Sequence, residues 1–185
     1  MQEVDNILRI FQETKEAVEK GDSARIKILS DQTNNTASLT HDPDNIAVAV
    51  IVYSLSKIVE RENYRKLPGW KTFYNNYLKS IDNIILSLKN GEETKARKYL
   101  KSIREGIEKI SGTLKGYIQD VFRKASINKA SKIYEHGISM ERTAKLLGVT
   151  MFELAGYAGQ KTDDFSLTKT LDVRQRIKVA EEMFR

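Results

Sequence analysis

Apolar side chains recur at helical spacing along most of the chain. Val4, Ile7, Leu8, Phe11 and Val18 share one stripe, and Gly21 ends it before Asp22 and Ser23 open a second helix, which predicts a helical hairpin. Residues 31–45, DQTNNTASLTHDPDN, are polar and rich in turn formers, so the second helix is predicted to end near Asn35 and give way to a loop. Asp42-Pro43-Asp44 then reads as a helix start, because proline is tolerated in a first turn and carboxylates suit the positive end of the helix dipole. Its centre, Ile46 to Tyr53, is apolar all round and rich in β-branched residues, a pattern shared by buried strands. Leu55, Ile58 and Val59 continue it at helical spacing, which predicts a helix to about Glu62 as the most buried element.

Leu67-Pro68-Gly69 breaks the chain, and Trp70 to Lys89 restarts it with Phe73, Tyr74, Tyr77, Leu78, Ile81, Ile84, Ile85 and Leu88 on one face. Asn90-Gly91 turns it into Glu92 to Ile110, whose stripe of Ala96, Tyr99, Leu100, Ile103, Ile107 and Ile110 predicts an antiparallel partner. The pentapeptide YLKSI occurs at Tyr77–Ile81 and again at Tyr99–Ile103, a short repeat that similar packing demands explain as well as duplication does. A further helix from Thr113 to about Glu135 shifts phase at Ser126-Ile127-Asn128, which marks a candidate hinge.

Composition agrees with helices and narrows the class. Of the residues 40% are hydrophobic and 30% charged, with two prolines and ten glycines, the balance of a chain that can bury a core. The chain has no cysteine, which excludes disulfides and thiolate chemistry and suits a reducing compartment; a cytoplasmic location is the expectation. The N-terminal residues lack the basic and apolar regions of a secretory signal, and the apolar run at Ile46–Tyr53 is far shorter than the roughly 20 residues needed to span a bilayer. The formal charge of +6 gathers in residues 91–135, which carry 11 basic and 6 acidic side chains. Lys95, Arg97, Lys98, Lys101, Arg104 and Lys109, followed by Lys115, Arg123, Lys124, Lys129 and Lys132, form either a phosphate-facing surface or a solvated face interleaved with Glu92, Glu93, Glu105 and Glu108; the second reading is favoured.

The most specific passage is HGISMERTAKLLGVTMFELAGY, His136 to Tyr157. Ser139 suits a helix cap, Ala144 a close contact between helices, and Gly148 a turn that needs positive φ. Thr150 and Glu153 have the spacing of a capping box, with Leu154 and Tyr157 facing inward. The passage resembles the helix-turn-helix of bacterial and archaeal regulators, with Ala144, Gly148, Val149 and Leu154 at that family's spacing. It is also similar to the short helix-turn-helix of small antitoxins paired with PIN-type ribonuclease toxins, which share the Ile138-Ser139 start and the Ala-x-x-x-Gly turn. The resemblance covers about twenty residues and implies a regulator whose second helix meets a target. DNA readers present Arg, Lys, Asn or Gln there, whereas Thr150–Gln160 offers only Gln160, with Met151, Phe152 and Glu153 in exposed positions. Together with Arg142 and Lys145 these residues form the candidate site, better suited to a protein partner than to a polyanion.

Residues 161–171 read as a polar linker and 172–185 as an amphipathic helix with Val173, Ile177, Ala180 and Phe184 on its apolar face. Such a helix folds back on the bundle or docks in a partner's groove, with Arg174, Ile177, Lys178 and Phe184 as the docking residues. The antitoxin resemblance implies that Arg174, Arg176 and Lys178 would supply a cation to a toxin's acidic metal site.

Catalysis is not expected. His41 and His136 stand at predicted helix boundaries without a paired ligand, and no phosphate-cradling loop or nucleophile elbow is present. His41-Asp42-Pro43-Asp44 reads as a cap before it reads as a cation site. The bundle resembles that of HEPN-type ribonucleases, but neither histidine follows an arginine at that family's Arg-x(4–6)-His spacing. The expectation is an all-α, multi-helix bundle (1–135) with a C-terminal helix-turn-helix (136–160), a linker and a terminal amphipathic helix. It acts without cofactor or metal as an antitoxin-like or transcriptional regulator, with a protein partner such as a ribonuclease toxin, DNA, or a second copy of itself. The alternatives are a helical scaffold or adaptor that binds no nucleic acid, and an RNA-binding bundle using Tyr99 and Tyr117, disfavoured because both fall on core stripes.

Overall fold

The computed structural model describes residues 1–40 and 42–165, with the side chains of Ser38 and residues 159–165 left out. Among the described residues the fold is all-helical, without strands: α1 (Val4–Glu19), α2 (Ser23–Thr40), α3 (Pro43–Glu60), α4 (Trp70–Lys89), α5 (Glu93–Glu108), α6 (Gly112–Glu135), α7 (Met140–Leu147) and α8 (Met151–Phe165), with a 3-10 turn at Glu62–Lys66 between α3 and α4. No helix among them is long and apolar enough to cross a membrane.

The central element is α3, which touches α1, α2, α5, α6 and α7. Asp42 caps it, its carboxylate accepting from the Asp44 amide at 2.9 Å, and Pro43 fills the first turn. The β-branched run is helical because its whole circumference is buried: Val48, Ile51, Val52 and Leu55 expose nothing. Helices α4 and α5 form the expected neighbouring pair. The two YLKSI copies do different work, since α4 buries Tyr77 and Ile81 whereas α5 buries Leu100 and Ile103 and leaves Tyr99 partly exposed. Tyr77 donates its hydroxyl proton to the Ile51 carbonyl of α3 at 2.8 Å.

Three features depart from the sequence pattern. The polar stretch that should end the second helix near Asn35 stays helical to Thr40. Thr33 and Thr40 donate to carbonyls four residues back, Ser30 donates to Ala49 of α3 at 2.7 Å, and Ser30, Thr33, Asn34 and Ala37 bury a face of small residues that lets α2 approach α3 closely. The phase shift at Ser126–Asn128 is not a break, because α6 runs through it. Its first half buries one stripe, Leu114, Ile118, Val121 and Phe122, while its second half buries Lys129, Ala130, Ser131 and Ile133 on several sides, in a helix that packs against α2, α3, α5, α7 and α8. Finally, α8 continues through Phe165, past the start of the expected linker at residue 161.

One apolar core unites these elements, with Ile138, Ala144, Leu147 and Leu154 of the α7–α8 segment joined to the residues of the bundle. Tyr117, assigned by spacing to a core stripe, is instead 45% exposed and stacks on Tyr64 with ring centroids 5.4 Å apart.

Candidate functional site

The α7–α8 pair is assembled by local capping. Ser139 accepts the Arg142 amide at 3.3 Å, and Gly148 ends α7 at φ 65°, a left-handed conformation that residues with a Cβ rarely adopt. Val149 sits partly buried in the crease. Thr150 and Glu153 form the reciprocal box: the Glu153 carboxylate accepts from the Thr150 amide at 2.9 Å, and the Thr150 hydroxyl accepts from the Glu153 amide at 3.2 Å. Arg123 of α6 donates to the same carboxylate at 2.7 Å, pinning the start of α8 to the bundle. The backbone and hydroxyl of Thr150, with Arg123, hold the Glu153 carboxyl down at about 2.

Leu154 is fully buried, and Tyr157 accepts a 2.8 Å hydrogen bond from the Asn128 amide. Met151 is 50% and Phe152 90% exposed, with Ala155 and Gly156 exposed beside them. On α7, Arg142 and Lys145 are exposed, as is Thr150 in the turn. Glu153 departs from its expected role as an open surface acid, since it is partly buried and committed to Thr150 and Arg123. Gln160 lies in α8 with its side chain outside the description, and Arg174, Ile177, Lys178 and Phe184 lie outside the described residues.

Much of the basic surface on α5 and α6 is paired within itself. Lys95 pairs with Glu92, Lys101 with Glu105, Lys115 with Glu108 and Lys124 with Asp120, while Arg97 bridges Asp44 and Glu93. Such exposed pairs are those of a solvated face.

Lys129 is the exception. Read from the sequence as one more surface cation, it is fully buried, with its ammonium 2.8 Å from Asp31 of α2 and 4.4 Å from the centre of the Tyr53 ring of α3. Lys132 reaches the same carboxylate at 2.5 Å. Burial draws the Lys129 ammonium down to about 8 against the opposing pull of Asp31. Burial also pushes the Asp31 carboxyl up, but the hydrogen bonds from Lys129 and Lys132 together outweigh it and leave the group below its ordinary value. The available signal was position: Lys129 stands four residues after Ala125 and four before Ile133, on the stripe itself.

Two clefts flank α8. One, of about 800 Å³, lies towards α5 and has mixed charge, with Arg104, Glu108, Asp120 and Arg123 in its wall. The other, of about 570 Å³, opens between α3, α6 and α8. No group of three or more His, Asp or Glu side chains able to hold a metal ion occurs among the described residues. No protein family, curated protein or solved structure matches this chain.

Proposed function

We propose that the protein is a non-enzymatic regulatory binding protein that uses α7 and α8 as a helix-turn-helix to engage a macromolecular partner, in the manner of an antitoxin or transcriptional regulator. The observation that carries this reading is the first turn of α8, where capping and a buried Leu154 fix the backbone while Met151 and Phe152 face solvent. A large aromatic side chain left 90% exposed at a rigid helix start contributes little to the fold and is suited to a partner's apolar pocket.

A protein partner fits this surface better than DNA. Met151 and Phe152 have nothing to offer a phosphate, and the exposed cations Arg142 and Lys145 lie on α7 rather than on the reading helix. The compartment proposed for this activity is the cytoplasm, in keeping with the cysteine-free sequence.

The test is affinity capture of the tagged full chain from its native cells, with and without nuclease. A stoichiometric protein that survives nuclease and is lost with Phe152→Ala supports the reading, and a ribonuclease in that position would make the protein an antitoxin. Nucleic acid recovered alone and lost on nuclease treatment would make α8 a DNA-reading helix. Recovery of neither from the wild-type chain would overturn the proposal. A helical scaffold is the second reading, favoured by the self-paired charges of α5 and α6. Capture of the same protein by wild type and Phe152→Ala alike would select it.

A further inference from the structure

The cleft between α3, α6 and α8 has a composition that packing alone does not require. Three aromatic side chains line it, Tyr53 from α3 and Phe152 and Tyr157 from α8, together with three cations, Lys57, Arg61 and Lys124. Among the described residues the only carboxylate in its wall is Glu153, which is occupied by Thr150 and Arg123. Lys57 and Lys124 are paired with Glu60 and Asp120 beside the wall, so the excess positive charge it presents is that of Arg61.

The cations are available. Arg61 has no carboxylate within ion-pair distance among the described residues; its guanidinium donates to the Tyr64 hydroxyl at 2.5 Å and lies 5.5 Å from that ring, beside the cleft, with further donors left for an anion. Lys57 and Lys124 pair with Glu60 and Asp120 three and four residues away on their own helix or at its end, the weak exposed kind of pair that a stronger anion displaces at small cost. The volume, about 570 Å³, falls inside the range of roughly 300 to 1,000 Å³ typical of small-molecule sites.

We infer that this cleft binds a small ligand of nucleoside phosphate chemistry, a planar ring bearing a multiply charged anionic group. The ring lies among Tyr53, Phe152 and Tyr157, where stacking is tolerant of ring identity. The phosphate meets Arg61, with Lys57 and Lys124 as supporting charges. Gly156 keeps the α8 side of the cleft clear, since a Cβ there would meet nothing within 4 Å. The inference rests on bundle residues as well as on α8 and does not depend on the partner-binding reading.

That same open space provides the test. Gly156 has an ordinary helical backbone, so Gly156→Leu should keep the fold, raise local helix propensity and fill the cleft. Calorimetric titration of the full chain with adenosine 5′-monophosphate is expected to give a Kd below about 1 mM, at least about tenfold tighter than adenosine or inorganic phosphate alone. Arg61→Gln and Lys124→Gln should each weaken it, Arg61→Gln by about tenfold. Gly156→Leu should abolish it with an unfolding midpoint no lower than that of the wild type. Binding of the monophosphate no tighter than adenosine or phosphate would overturn the inference, as would binding that survives Gly156→Leu, or oligonucleotide binding without mononucleotide binding. Met151→Ala tests the partner-binding reading separately, because Met151 is exposed at the start of α8 and is not part of the cleft wall, so capture of a macromolecule can fail while titration with the mononucleotide succeeds.

Discussion

Asp31→Ala should be among the most damaging single changes to a partly exposed residue in this protein. The substitution removes the only carboxylate among the described residues that contacts Lys129, whose side chain exposes nothing to solvent and lies 2.8 Å from it. Removing one member of a buried pair costs about 3 to 5 kcal/mol because the remaining charge stays desolvated. Asp31 is 35% exposed and Lys132 also contacts it, so the lower figure, about 3 kcal/mol, is expected. Lys129→Met keeps the length of the side chain, removes the buried charge and leaves Asp31 paired with Lys132, so it should change stability by no more than about 1 kcal/mol. The double variant should recover most of what Asp31→Ala loses. Urea unfolding of all four proteins completes the cycle. The pH dependence has a definite sign. Lys129 is held near 8 in the folded chain against 10.5 as its ordinary value, so between those values the unfolded state binds more protons and stability rises with pH, by up to about 3 kcal/mol in all. Comparing wild type with Lys129→Met separates this from tyrosines that titrate nearby. Additive single effects, or a wild-type rise unchanged in Lys129→Met, would refute a buried, coupled ammonium.

The remaining expectations concern smaller terms. Thr150→Ala should cost about 1 kcal/mol through loss of the cap and loosen the start of α8, read by hydrogen exchange at Met151 to Leu154. Glu153 is held near 2, so its contribution is present above the ordinary value of 4.5 and is lost as pH falls towards 2; Glu153→Gln should flatten that acid limb of the stability profile. Tyr77→Phe should cost about 1 to 2 kcal/mol, because the buried Ile51 carbonyl loses its side-chain donor, with no change in far-ultraviolet circular dichroism. Phe152→Ala should leave the unfolding free energy within about 0.5 kcal/mol of wild type, consistent with a residue whose side chain faces water.

The helices were legible wherever one face alone is buried. The α4 bounds, Trp70–Lys89, follow directly from Pro68-Gly69 before the helix and Asn90-Gly91 after it, and the α7–α8 turn follows from Ser139, Gly148 and the Thr150–Glu153 spacing. Tertiary contact decided what propensity alone could not. Residues 31–40 look like a loop until α3 covers them, since their hydroxyls can satisfy either a turn or the helix's own carbonyls. Lys129 looks like a solvated cation because the aligned carboxylate, Asp31, lies 98 residues away. Glu153 shows the same limit: its spacing to Thr150 is visible, but the Arg123 contact that neutralises it belongs to another helix.

The unbroken passage of α6 through Ser126–Asn128 sets an angular register for everything that follows. At about 100° of rotation per residue and 1.5 Å of rise, one added or deleted residue in that segment would turn the α7–α8 pair by more than a quarter of a circle while moving it scarcely at all along the axis. Arg123, which precedes the segment on α6, would then face away from Glu153, and the exposed edge of α8 would point elsewhere. Substitutions along this stretch leave direction intact, whereas changes in its length redirect the surface that meets the outside world.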